Sequence, residues 1–373
     1  MRIALVGLAA LAVAMGIGRF AFTPILPMML LDGGLSVAAG GWLAAANYLG
    51  YLVGALWAGV ARATAATAMR AGLAVISVTT LAMAFDAGFA TWAVLRLVAG
   101  VASAWVMIHT SAWCLETFAL LGRPILAGVV FAGVGIGIIA AGSLCVLLMA
   151  LHANSASAWL LLGSVAIVVT VLLWPVFRVS RGVPASTHAG GRWTWEEVRL
   201  VAAYGAYGLG YIIPATFLPV MAREVVSDPA LFGWAWPAFG AAALLSALGV
   251  ALLGGRFSHR AVWIVSHLVM ALGVAAPVFW PGIGGIVLAA LGVGGTFVVI
   301  TMVGFQEARS VATARTGGNA ARLMAAMTAA FATGQIVGPL SVSLIVGSGG
   351  GFSAALLSAG AVLVAGALLL VRR

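Results

Sequence analysis

The chain has no lysine: all 18 of its basic side chains are arginine, against only 8 carboxylates. Charged residues make up 7% of its 373 positions, where an ordinary soluble protein carries roughly 25%. A soluble globular domain is excluded on that ground. Its two cysteines, Cys114 and Cys145, both fall inside apolar stretches, which excludes a disulfide framework and a cysteine metal site. No phosphate-cradling Gly-Lys-Ser/Thr loop, His-Glu-x-x-His or Gly-x-Ser-x-Gly elbow occurs. An enzyme, an ATP-driven pump, and any metal or other cofactor are therefore not expected. The net charge of +10 would suit nucleic acid, but the arginines lie between long apolar runs, so the partner they imply is a lipid bilayer.

What is present is hydrophobicity, 64% of residues with a mean hydropathy of +1.19. A span needs about 20 apolar residues. That rule predicts an all-α membrane protein with twelve transmembrane helices, near 4–30, 38–60, 71–89, 91–114, 124–150, 157–177, 198–221, 232–254, 262–280, 283–305, 320–346 and 352–371. Met-Arg followed by an apolar run with Ala12-Val13-Ala14 looks like a signal peptide, yet an internal copy of the same stretch argues for a retained span.

That copy is the strongest pattern in the chain. Gly16-Ile-Gly-Arg-Phe-Ala-Phe-Thr-Pro-Ile-Leu-Pro-Met-Met29 returns as Gly208-Leu-Gly-Tyr-Ile-Ile-Pro-Ala-Thr-Phe-Leu-Pro-Val-Met221, at an offset of 192. Gly41-Trp42, Gly100-Val101 and Arg123 keep that register in Gly233-Trp234, Gly292-Val293 and Arg315, and Phe131 and Gly137 echo at Phe331 and Gly338 after slips of eight and nine. Several landmarks in one register mean two copies of one unit. The organisation expected is two pseudo-symmetric six-helix halves, 1–178 and 198–373, joined by a basic linker, 179–197. Fifteen arginines fall on one side of the predicted spans and Arg223 alone on the other, with Asp32, Asp86, Glu224 and Asp228. The positive-inside rule makes the first side, and both termini, cytoplasmic. The Trp residues, mostly near span ends, read as an aromatic belt.

Arg19 and Arg96 are the two charges placed well inside the spans. Arg19 lies about 15 residues, or roughly 22 Å, from the cytoplasmic end of the first span, and Arg96 roughly 8 Å in from the outer side of the fourth. A charge at that depth is a functional-site candidate, because it is costly unless it faces protein or a watery cavity. Pro24 and Pro27 are expected to open the helix beyond Arg19. No carboxylate sits at the same depth, so an anion is the partner these guanidiniums invite. The competing reading has Arg19 hydrogen-bonded to freed carbonyls and Arg96 held by Asp86 or a neighbouring helix. Asn47, Tyr48 and Tyr51, on one stretch of span two, and Tyr207, Tyr211 and Gln335 are the orienting candidates, with belt anchoring the alternative for the tyrosines. His109, with Glu116, is the candidate proton relay, and His267 is the other histidine at intermediate depth.

Two six-helix halves with a basic linker resemble the major facilitator superfamily over the whole chain. Arg96-Leu-Val-Ala-Gly100 is similar to its Arg-x-x-x-Gly motif, Gly133-x-x-x-Gly137 with Gly142 to its span-five glycine motif, and Gly334-x-x-x-Gly338-Pro339 to the second-half version. Gly255-Arg-Phe-Ser-His-Arg260 is similar to its Gly-Arg-x-x-Asp-Arg loop, with His259 in place of the acid, and the matching loop at 61–70 has no acid at all. The Gly16 to Met29 stretch with Gly41-Trp-Leu-Ala-Ala-Ala-Asn-Tyr-Leu-Gly-Tyr51 looks like the YbfB/YjiJ branch. The resemblance implies a secondary transporter of the bacterial inner membrane, working by alternating access, with a monomer as the expected unit. Together with the arginines it points to a small organic anion as substrate; the alternative is proton-coupled efflux of an apolar or cationic drug-like compound.

Overall fold

Apolar runs of this length satisfy their backbone polar groups in a bilayer only as helices or closed barrels. Helices are what form. The structure, a computed structural model, describes residues 1–32, 34–61, 63–86, 88–179, 193–225, 234–253, 255–314, 319–347 and 351–371, and among these every regular element is helical. The first rod runs as α1 (Arg2–Leu11), a π-helical stretch (Ala12–Phe20) and α2 (Phe22–Asp32). Then follow α3 (Val37–Val60), α4 (Ala65–Ala82), α5 (Gly88–Leu120), α6 (Leu126–Ala150), α7 (Ser155–Leu173) and the short α8 (Val176–Val179). The later helices are α9 (Trp195–Val225), α10 (Ala235–Leu252), α11 (His259–Phe279), α12 (Ile283–Thr313), α13 (Ala320–Gly347) and α14 (Gly351–Val371).

Eleven rods among the described residues are long and apolar enough to cross a membrane, and α9, 31 residues long, occupies the expected seventh span. Most of the expected linker, with Arg181, His188 and Arg192, lies outside the described residues, as do Arg62, Asp228, Gly233, Arg315, Arg372 and Arg373.

Polar caps set several helix starts. Ser36, Thr64, Asn154 and Ser258 each accept the backbone N–H three residues on, at 3.0–3.2 Å. At α9 a reciprocal box forms: Thr194 Oγ1 accepts from the Glu197 N–H and Glu197 Oε2 accepts from the Thr194 N–H. Between helices, small residues replace apolar burial as the means of close packing. Helix α6 has two such faces. Gly133 and Gly137 meet the backbone of α1 and the π stretch, whereas Gly128, Gly135 and Gly142, seven apart, meet α10. The pairing of the first rod with α6 is repeated by α9 with α13, where Gly208 and Gly334 face the partner backbone.

The tryptophans divide. Trp42, Trp195, Trp234 and Trp280 are well exposed, as a belt requires, but Trp159 and Trp263 are fully buried core residues. Both cysteines are buried and free.

Neither basic loop contains an acid, yet Arg260 is well paired. Its guanidinium reaches Glu307 of α12 at 2.7 and 3.1 Å and also bonds Glu196 of α9, which in turn meets Arg199 at 3.4 Å. The acid that the loop lacks is supplied from two helices distant in sequence. Arg260 and Glu307 are under one-fifth exposed, so Arg260→Ala would leave a half-buried carboxylate without its partner. We expect a stability loss of about 1–3 kcal/mol, read as a lowered Tm in detergent, with Arg260→Lys recovering part of it.

Candidate functional site

The site begins with the backbone. The expected break at the prolines is displaced: the chain is already π-wound from Ala12 to Phe20, and α2 continues with Pro27 inside it. A wide turn of this kind presents carbonyls sideways, and such turns favour functional sites. Helix α5 collects those carbonyls. Ser103 Oγ donates to Ala14 O at 2.9 Å, and Arg96 donates through Nη1 to Gly18 O and through Nη2 to Arg19 O, both at 3.2 Å. The Arg96 guanidinium also lies over the Phe22 ring, 4.7 Å from its centroid. Arg96 is thus held by a neighbouring helix, as the competing reading had it, and Asp86 has no part in this.

Asn47 works one step further back. It is fully buried, and its amide donates to Arg96 O at 2.9 Å, tying α3 to α5.

Arg19 is 3% exposed and projects from the π stretch toward α13, where Nη2 donates to Gln335 Oε1. Its guanidinium carbon stands 3.8 Å from the Tyr51 ring centroid and within 6 Å of the Tyr48, Phe20 and Phe331 rings. The negative ring faces stabilise the cation without neutralising it. Arg19 Nε and Nη1 and Gln335 Nε2 are buried with no hydrogen-bond partner. Among the described residues no ion pair joins Arg19 to a carboxylate. Three buried donors beside one uncompensated charge make a site for an acceptor that is itself negative.

The sequence-derived candidates therefore fall into layers. Arg19, Gln335, Tyr48 and Tyr51 are in direct contact. Tyr211 adjoins them through its stacks on Phe331 and Phe297, and Tyr207 donates its hydroxyl to Phe297 O at 2.9 Å. All five tyrosines of the chain join this one cluster, Tyr204 through Phe331 and a 3.1 Å bond to Thr301, so none is a belt anchor.

The histidines lie further from Arg19, with the His267 ring 6.3 Å from that of Tyr207. His109 Nδ1 is 2.9 Å from Trp105 O in its own helix, and Glu116 is exposed two turns on, roughly 10 Å along the axis. At that separation the two do not hand a proton to each other directly. His267 is fully buried between the carbonyls of Trp263 and Ala203, bracing α11 against α9. Sequence reasoning missed Ser103, Phe20, Phe297 and Phe331. Only Phe331 carried a signal, as the repeat partner of Phe131.

A family model described as "Uncharacterised MFS-type transporter YbfB" matches residues 11–371. No curated protein matches the chain. Among solved structures, the chain is similar to the human organic anion transporter MFSD10 (TETRAN), with a TM-score of 0.72 and 13% identity over 99% of this chain and 98% of that one. At such identity the likeness shows the fold alone. The apolar helices, the paired repeat and the family match agree: the chain belongs to the YbfB-type family of the major facilitator superfamily, and is a multi-pass membrane transport protein.

Proposed function

We propose that this protein is a secondary transporter that carries a small organic anion across the bacterial inner membrane by alternating access. The observation that carries the reading is Arg19: a fully buried guanidinium with two free N–H groups, a free amide donor beside it on Gln335, and no carboxylate in reach among the described residues. A planar guanidinium pairs bidentately with a carboxylate. Arg19 and Gln335 bind the anionic head, Tyr48, Tyr51 and Tyr211 shape the space around it, and Arg96 with Asn47 hold the π turn in place. MFSD10, the human protein of like fold, is an organic anion transporter, which supports the same reading.

In this reading the chain has twelve spans with cytoplasmic termini, in halves 1–178 and 198–373 joined by residues 179–197. Arg19 and Gln335 come from opposite halves, so substrate bound between them is bound at the interface that opens and closes. The glycine-lined contact of α6 with α10 and the contact of α3 with α13 are the surfaces about which the halves rock. The efflux alternative calls for a buried acid to attract a cation, and the described spans offer none beside the site.

Proteoliposome flux measures this directly. Organic anions are expected to move and lipophilic cations are not, with Arg19→Leu reducing anion flux at least tenfold. Equal anion flux in wild type and variant would overturn the proposal.

A further inference from the structure

Resting on that reading, we propose that the substrate is an aromatic monocarboxylate, its ring set against a run of stacked side chains that begins beside Arg19. Aromatic residues are 9% of the chain, and the core is otherwise built mostly from alanine, leucine, valine and isoleucine. Around Arg19 the composition changes. Phe331, 5.6 Å from the guanidinium carbon, stacks on Tyr211, with centroids 6.1 Å apart and planes at 28°. Tyr211 stacks on Phe297 at 5.5 Å and 19°, Phe297 on Phe239 at 5.2 Å and 25°, and Phe239 on Trp236 at 5.3 Å and 5°. Five rings from α9, α10, α12 and α13, each stacked on the next, thus lie beside the cation, and Phe20, the residue after Arg19, meets Phe297 at 89° and Trp236 at 63°.

The two ends of this arrangement select two ends of a ligand. The donors of Arg19 and Gln335 take a carboxylate. A flat π system joins such a cluster by offset stacking or edge-to-face contact, which an aliphatic body of the same volume cannot reproduce. The charge count sets the valence. Arg96, the other deep guanidinium, has both Nη atoms on the Gly18 and Arg19 carbonyls and only Nε unpaired, so Arg19 alone offers an open fork and a second carboxylate would find no bidentate partner.

Equilibrium binding to the purified full chain in nanodiscs tests this with four probes: benzoate, cyclohexanecarboxylate, phthalate and acetate. Benzoate is expected to bind about tenfold more tightly than cyclohexanecarboxylate, the ratio that one aromatic contact contributes, and more tightly than phthalate. Phe297→Leu is expected to bring the benzoate-to-cyclohexanecarboxylate ratio toward one while acetate affinity holds. If that variant does not fold, the wild-type ratio still decides. Equal affinity for the two ring acids, or a preference for phthalate, would overturn the aromatic monocarboxylate assignment and leave anion transport standing. Binding of none of the four acids would overturn both.

Discussion

Gly100→Val is expected to remove most of the folded protein. A Cβ at Gly100 would lie 2.2 Å from Asn47 O and 2.8 Å from Tyr51 N, and one at Gly50, on the facing helix, 1.9 Å from Leu97 O. The obstacle in each case is backbone, so no rotamer change relieves it. Overpacking in a core that can adjust costs about 1–3 kcal/mol; here α3 and α5 must separate, and the Asn47 bond to Arg96 O goes with them. We expect a loss above about 3 kcal/mol, seen as aggregation in size-exclusion chromatography and a collapsed Tm. Gly41, with nothing within 4 Å of its Cβ position, is the control; Gly41→Ala should stay within about 0.5 kcal/mol of wild type. A monodisperse Gly100→Val protein with unchanged Tm would contradict the close approach of these helices.

Arg96→Leu is expected to weaken anion binding at least tenfold although Arg19 is untouched. The Gly18 and Arg19 carbonyls would each lose a buried donor, at about 1–3 kcal/mol apiece, and the π turn that aims Arg19 would lose its support. Lysine at this position restores one point donor but cannot bridge two carbonyls as the guanidinium fork does, so Arg96→Lys should recover stability better than affinity. A direct ligand and a positioning residue differ in one readout. If Arg96 acts through the turn, its loss weakens a monovalent and a divalent anion by the same factor. An unchanged anion affinity in Arg96→Leu would contradict the positioning role.

These two sites also show what a sequence of this kind discloses. The apolar runs, the repeat at 192 residues and the glycine spacings on α6 are local or periodic patterns, and among the described residues eleven helices of membrane-spanning length and the close-packed glycine faces of α6 are present. Arg19 stood out because a charge in an apolar run is anomalous wherever it occurs. Its partner Gln335 is 316 residues away, and no local pattern links them. The same holds for Arg260, whose loop lacks an acid but whose partners arrive from α9 and α12. The π winding was hidden for another reason: the prolines marked a helix weakness, but the carbonyls that turn sideways lie before them, and Ser103 and Arg96 of α5 determine where. The aromatic run is assembled from four helices with no common spacing, so although Tyr211 and Phe331 stood out singly, no local pattern joined the five rings into one set.

In the mechanism we propose, Arg19 binds the anionic head of the substrate. Its most direct test is the shift in unfolding temperature of the purified protein on adding organic anions, neutral solutes and lipophilic cations, with Arg19→Leu measured alongside. Stabilisation by anions alone is expected, lost in the variant while its ligand-free Tm stays close to wild type. Stabilisation by cations or neutral compounds, equal in both proteins, would contradict it and make Arg19 a structural residue.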